Sequence, residues 1–183
     1  MLNPWTLTDL GPLTATGDLN GDGLDDFFIG NAFDGAGAIY LQMANGGFKA
    51  SSVKLLDEEK MYEDHGGLFF DADGDKDLDL FVLGGGPDAS SDAAWQCRLF
   101  LNDGKGNFTK STDALPTFKD LALRSAAYDY DGDGDQDLFI GGRITPKNWP
   151  LTPRSSVLQN NGGKFTDVTT QVAGDFESCG MVT

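Results

Sequence analysis

Apolar residues in this chain gather in short runs, and no segment carries the long 3.6-residue period of an amphipathic helix. Three runs share their surroundings: Phe27-Phe28-Ile29, Leu80-Phe81-Val82 and Leu138-Phe139-Ile140 each follow directly on an acidic, glycine-containing stretch. Those stretches read "DLNGDGLDDFFIG" from Asp18, "DADGDKDLDLFVLG" from Asp71 and "DYDGDGDQDLFIGG" from Asp129, so the starts lie 53 and 58 residues apart. Short strand-like segments with small side chains precede them: "LTATG", "GGLFF" and "SAAY". After each apolar run comes a variable loop, then a second run ending in an Asn/Gly turn: "IYLQMANGGF", "RLFLNDGKGNF" and "SVLQNNGGKF". Such turns carry the left-handed backbone of tight hairpins. Phe48, Phe108 and Phe165 close them, and short strands are expected over 49–55, 109–112 and 166–170.

The pattern predicts an all-β fold. Each repeat reads strand, acidic loop, strand, variable loop, strand, turn, strand, which is a β-propeller blade of four antiparallel strands and about 50–60 residues. Three repeats are expected, over 11–60, 61–115 and 116–173, in a single domain spanning 1–183. The segment 174–183, ending "SCGMVT", reads as the start of a further blade. The first strand of a blade lies nearest the ring axis, where space is short, and Gly67, Ala126 and Ala127 suit that crowding. Only 55–62 reads as a short turn of helix.

Charge sharpens the picture. The chain has 183 residues, 29 acidic against 13 basic, and a formal charge of -16. Such a surface repels nucleic acid and anionic lipid, and it favours cations. No apolar run is long enough to insert in a membrane as a helix, and 1–10 shows no signal-peptide pattern, so a targeting segment, if one is used, is expected elsewhere. Cys97 and Cys179 match no metal-ligand spacing and read as free or buried thiols, a disulfide being the lesser alternative.

Fourteen of the 29 acids sit in the three acidic loops. Numbered from the first Asp, positions 1, 3, 5 and 9 are Asp18, Asn20, Asp22 and Asp26; Asp71, Asp73, Asp75 and Asp79; Asp129, Asp131, Asp133 and Asp137. A chain coiling around a point aims such alternate oxygens at one centre. Position 7 (Leu24, Asp77, Asp135) adds its backbone carbonyl. This is the hard-oxygen set of a calcium ion, and three ions are expected, one per loop. Magnesium prefers fewer protein ligands and retains water. Three bound ions move the formal charge from -16 to -10. Glycines at position 4 (Gly21, Gly74, Gly132) and position 6 (Gly23, Gly134) permit the sharp turn, whereas Lys76 at position 6 of the second loop implies that no glycine-only conformation is needed there. The loop is not an EF-hand: position 12 is Ile29, Val82 or Ile140 instead of a bidentate Glu, and a strand follows in place of a helix.

The pattern D-x-[DN]-G-D-x-x-x-D followed by an apolar strand resembles the FG-GAP/VCBS repeat of integrin-alpha-type β-propellers and of many secreted bacterial proteins. The resemblance implies calcium in the loop joining the first two strands of each blade, and ligand recognition on the opposite face. It departs from the family at Lys76, and in having three blades where a closed ring has about seven.

The loops "NAFDGAGA", "GGPDASSDAAWQ" and "GGRITPKNWPLTPRS" vary most, and Trp95, Arg143, Trp149 and Arg154 on them form the candidate ligand surface. His65 is the one histidine and no nucleophile–base spacing accompanies it, so no enzymatic role is expected. The expected function is a calcium-binding module for extracellular, cell-surface or periplasmic recognition or adhesion, with a protein or glycan ligand. The alternative is a fragment of a catalytic propeller such as a polysaccharide lyase. Three blades leave two sheet faces uncovered, which predicts a homodimer closing a six-bladed ring, the alternative being an open fragment of a longer propeller.

Overall fold

A computed structural model describes residues 14–32, 34–51, 54–60, 62–85, 92–146, 148, 150–174 and 176. The strands are β1 Thr14–Gly17, β2 Asp26–Ile29, β3 Ala38–Gln42, β4 Phe48–Ala50, β5 Glu63–Phe70, β6 Asp79–Gly85, β7 Arg98–Asn102, β8 Phe108–Ser111, β9 Leu121–Tyr128, β10 Asp137–Ile144, β11 Ser156–Asn160 and β12 Phe165–Asp167. They form three four-stranded sheets in simple order, β1 to β4, β5 to β8 and β9 to β12, with antiparallel pairing throughout. The all-β architecture of four-stranded blades is therefore as the repeat pattern predicts.

Two strands are shorter than expected. β4 ends at Ala50, and Lys54–Asp57 forms a one-turn helix, α1. β12 ends at Asp167, and Thr169–Val172 forms a second, α2. In blade 3 the chain turns at once because Asp167 Oδ1 accepts hydrogen bonds from the Thr169 N–H and hydroxyl, a local arrangement that competes with continued pairing. Residues 11–13 and most of 174–183 lie outside the described residues, so the further blade expected there does too.

First strands are innermost: β1 packs on β5, and β5 on β9. A Cβ on Gly67 of β5 would stand 3.0 Å from the Phe28 ring, which is why that position carries no side chain. The motif residue directly after the last loop Asp faces the preceding blade, and the next one faces the following blade. Leu80 and Val82 thus join Ala15, Leu19, Phe28, Ile39 and Phe100 between blades 1 and 2. Phe81 and Leu83 join Leu99, Leu138, Ile140, Leu158 and Phe165 between blades 2 and 3. In the outer blades one of the two faces lacks a neighbouring blade among the described residues. Phe27 stacks on Tyr40 (4.9 Å) and meets Phe48 edge-on (4.9 Å); Phe139 meets Phe176 at 5.9 Å.

A polar link repeats between blades. The buried Asn102 amide donates to the Leu19 carbonyl of blade 1 (2.8 Å) and the Leu78 carbonyl of its own blade (3.2 Å). Asn160 donates to the Ala72 carbonyl of blade 2 (2.8 Å) and to that of Gln136 (3.0 Å). Substitution Asn160→Ala strands these two carbonyls in the interior, and is expected to destabilise the fold by about 2 kcal/mol. Urea unfolding checks this, and an unchanged midpoint would show that the link carries no weight.

Candidate metal centres

Each acidic loop joins the first and second strands of its blade, and its coil is held by its own carboxylates. Asp18 Oδ1 accepts from the N–H groups of Asn20, Gly21 and Asp22, and Oδ2 from that of Gly23. Asp71 accepts from Gly74 and Lys76, and Asp129 from Gly132 and Gly134, in the same register. Position 5 accepts from the N–H of position 7 in all three loops: Asp22 from Leu24, Asp75 from Asp77, Asp133 from Asp135. Lys76 keeps φ at 77°, beside 82° at Gly23 and 102° at Gly134. The turn thus needs no glycine-only conformation, as the lysine implied, although its backbone stays in the left-handed region that favours glycine. The coil needs a left-handed residue at position 6, and in blade 2 a lysine takes it at some cost in strain.

The position-9 carboxylates are nearly or wholly buried: Asp26 0 %, Asp79 0 % and Asp137 2 % exposed. Each ties the loop to the third strand. Asp79 Oδ2 accepts from the Ala72 N–H and Oδ1 from the Asn102 N–H, both at 2.8 Å. Asp26 does the same with Leu19 and Gln42, and Asp137 with Tyr130 and Asn160. These bonds leave lone pairs on every oxygen. Carboxylate oxygens of Asp71, Asp73 and Asp79 lie within 4.8 Å of one another, as do those of Asp129, Asp131 and Asp137. Both clusters fit a metal ion in blades 2 and 3. Blade 1 offers Asp18 and Asp26 with Asn20, an amide oxygen, at the third position. The side chains at position 7 turn elsewhere. Asp135 accepts from the Gly162 N–H (2.8 Å), and the Asp77 carboxylate lies so close to Gly104 that a Cβ there would stand 2.4 Å from it, so both brace the Asn/Gly turn of their own blade.

Electrostatics follow from crowding. Burial pushes the Asp79 carboxyl up to about 6, outweighing its two N–H donors, and Asp73 and Asp75 add to the rise. Burial also raises Asp73, with Asp75 and Asp71 beside it, and Asp137, with Asp131 and Asp133 beside it. In Asp18 burial acts the same way, but backbone N–H donors prevail and hold it low. A carboxyl raised on folding stabilises the fold fully below its ordinary value of 3.8 and loses that contribution as pH rises through about 6. In chelator, the melting temperature is therefore expected to be higher at pH 5 than at pH 7.5. In calcium the difference shrinks or reverses, since protons and the cation compete for the same oxygens. His65, whose pKa burial lowers, acts in the opposite sense below 6.5. The comparison is therefore made in a His65→Gln background, where a metal-free melting temperature that rises over this interval would contradict the raised carboxyls.

The opposite end of the blades carries the variable loops and the connections between repeats. Trp95 is 6 % exposed and packs with Leu121, Tyr62 and Ile144, so its ring is used in packing rather than displayed. Arg154 bonds bidentately to Asp167, an arrangement in which burial is outweighed by the Arg154 guanidinium and Thr169, holding Asp167 at about 2. Arg143 lies half-buried near the end of β10. A cavity of about 380 Å³ opens beside Arg154, with Lys119, Phe118, Asp120 and Ser156 in its wall. Trp149 and Cys179 lie outside the described residues. Cys97 is a free, buried thiol that burial pushes up to about 12, which makes it inert. His65 is 7 % exposed beside Glu63, and burial lowers its pKa.

Sequence reasoning missed a buried ion network at this end. Arg98 bonds to Asp64 and to Glu59 (3.4 Å) and lies 4.5 Å over the Tyr62 ring; Lys110 bonds to Glu59 at 2.6 Å. Asp64 also accepts from the Asn31 N–H of blade 1 (3.0 Å). The network pins the first connection between repeats onto blade 2, and its members share no sequence spacing that would have announced it.

Three four-stranded sheets in series, with an acidic loop between the first two strands of each, define a β-propeller-type repeat protein. The FG-GAP-like repeat profile matches residues 18–82 and 71–140, more than half of the chain, and the chain belongs to that family. No curated protein sequence matches it.

Proposed function

We propose that the chain is a calcium-binding β-propeller module, with structural calcium at one end of its blades and recognition of a protein or glycan at the other. The observation that carries the calcium reading is the convergence of three carboxylates, at the same loop positions, in blades 2 and 3. Hard oxygens only, in a flexible coil, are the donor chemistry of calcium. The ligand set is the side chains at positions 1, 3, 5 and 9 with the carbonyl of position 7. Burial first, and the neighbouring carboxylates after it, raise Asp73, Asp79 and Asp137, and a bound cation offsets both. Loops of this kind fill at extracellular calcium levels and stay empty at cytosolic ones, which favours a place outside the cell or in the periplasm. On the recognition side, the cavity beside Arg154 and the surface around Arg143 are the regions to which an acidic ligand is assigned.

Native mass spectrometry and calorimetry test the calcium reading. Three ions per chain are expected, and Asp133→Ala is expected to lower the count to two by weakening the third site at least tenfold. Unchanged stoichiometry and affinity in that variant would remove Asp133 from the ligand set.

A further inference from the structure

One line of hydrogen bonds runs from the position-9 carboxylate of each blade to that of the next. Asp26 Oδ2 accepts from the Leu19 N–H (3.0 Å), the Leu19 carbonyl accepts from the Asn102 side-chain amide (2.8 Å), and the Asn102 N–H donates to Asp79 Oδ1 (2.8 Å). The same three bonds recur one blade further on. Asp79 Oδ2 accepts from the Ala72 N–H, the Ala72 carbonyl from the Asn160 amide, and the Asn160 N–H donates to Asp137 Oδ1, each at 2.8 Å. Every residue along the line is buried, so water does not compete for these bonds. The two joints are unequal, however. Between blades 2 and 3 the loops are also bonded to each other, since Gln136 Oε1 accepts from the Asp71 N–H (3.2 Å). The Asn/Gly turn of blade 3 closes on loop 2 as well: Asn160 Oδ1 accepts from the Gly163 N–H (2.9 Å), and a Cβ on Gly163 would stand 3.0 Å from that of Asp73. Asp71, Asp73 and Asp79, the three converging residues of blade 2, are thus each tied to blade 3 next to its own Asp137. At the first joint Leu78 takes the place of Gln136 at loop position 8, and its side chain lies against Gly17 of β1 instead.

We propose that the metal sites of blades 2 and 3 fill as a coupled pair, occupancy of either raising the affinity of the other about tenfold, with Asn160 and Gln136 carrying the coupling. The site of blade 1 is joined to the pair more weakly, through Asn102 alone. This inference rests on the calcium reading and adds to it how the sites act on one another. Holding the carboxylates of a loop in one arrangement costs conformational entropy. Once Asp71, Asp73 and Asp79 are fixed, the Ala72 carbonyl and the Asp71 N–H are fixed with them. Asn160 and Gln136 then hold Asp137 in place, so the second loop to fill loses less freedom than the first. Charge acts in the opposite sense. A loop that has gained two positive charges lessens the attraction of its neighbour for a further cation, and salt screens that effect between exposed loops. Positive coupling is therefore the signature of the bonded link and not of the charges. By linkage it is reciprocal: filling loop 3 helps loop 2 by the same factor.

Asn20→Lys places an ammonium at position 3 of loop 1 and leaves the pair to be observed alone. Circular dichroism in chelator first confirms that the chain is folded, so that binding is not read together with folding. Native mass spectrometry over a calcium titration then counts chains holding no ion, one and two. Independent sites, whatever their affinities, leave at least about half of the chains singly occupied where empty and doubly filled chains are equal in number, whereas a tenfold coupling lowers that share to about a quarter. Gln136→Ala and Asn160→Ala, each added to this variant, are expected to return the share towards half. Gln136 is half-buried and its substitution removes one bond only, so it keeps the test open if Asn160→Ala does not fold. Two ions bound with half or more of the chains singly occupied overturn the pairing and leave the calcium reading intact. A share of a quarter that neither substitution changes also overturns it, by removing Asn160 and Gln136 as the carriers. A wild-type chain that binds no calcium overturns the calcium reading, and the pairing with it.

Discussion

Chelation of calcium is expected to lower the melting temperature of this protein by about 10 °C, the largest effect of any change of solution conditions that the proposed metal sites imply. At millimolar calcium and a Kd near ~10⁻⁴ M, each site contributes about 1.4 kcal/mol, or roughly 4 kcal/mol for three independent sites. That is a large share of the ~5–15 kcal/mol that holds a domain folded. For a chain of this size, 1 kcal/mol corresponds to about 2–4 °C. The physical source is burial together with crowding in each loop: five carboxylates lie in nine residues in blades 2 and 3, and Asp79 is pushed up to about 6 chiefly by burial. Scanning calorimetry with calcium, with chelator and with chelator followed by excess calcium measures the shift and its reversal. A melting temperature indifferent to chelator would sink the calcium reading while leaving the blade fold untouched.

Phe81→Ala destabilises the protein by about 4 kcal/mol, while Phe139→Ala, the same letter of the same motif, costs about 1 kcal/mol in the isolated chain. Phe81 is 0 % exposed, in the cluster that holds blade 2 to blade 3. Truncation there opens a cavity that two rigid sheets cannot collapse to fill. Phe139 is half-buried, has Phe176 beside it, and lies on the face that follows blade 3. Denaturant unfolding of both variants at low protein concentration, in chelator, makes the comparison without contributions from metal or association. Equal costs would mean that the two sheet faces are covered alike, and would remove the distinction between inner and outer blades.

Much of this molecule was legible before any coordinate was known, because its repeats impose the same local demands three times over. The alternation of strand, acidic loop and Asn/Gly turn is local chemistry. A left-handed position is needed wherever the loop coils, and an apolar strand is needed wherever the chain enters a sheet, so spacing alone identified twelve strands and the loops between them. The convergence of the carboxylates at positions 1, 3 and 9 in blades 2 and 3 was legible for the same reason, since a nine-residue coil brings its own side chains together without help from elsewhere.

What the residues do beyond their own loop was decided by tertiary packing. The carboxylates at position 9 read as ligands in sequence, yet each also ties its loop to a third strand at least sixteen residues away, as Asp26 does to Gln42. Asn102 and Asn160 read as ordinary turn residues, but they join neighbouring blades across 83 and 88 residues of chain. Trp95 looked displayed and is packed inside, because the face it meets belongs to the start of another repeat. Arg98, Asp64 and Glu59 carry no mutual spacing at all; desolvation brings them together at the seam between blades, where an unpaired charge would be too costly to leave. The sequence alone determined the repeat, its strands and its oxygen-rich loops, since those depend on neighbours within a few residues. The tertiary structure decided which copy of each repeated side chain is buried, because burial depends on whether another blade lies against it, and the motif is the same in all three.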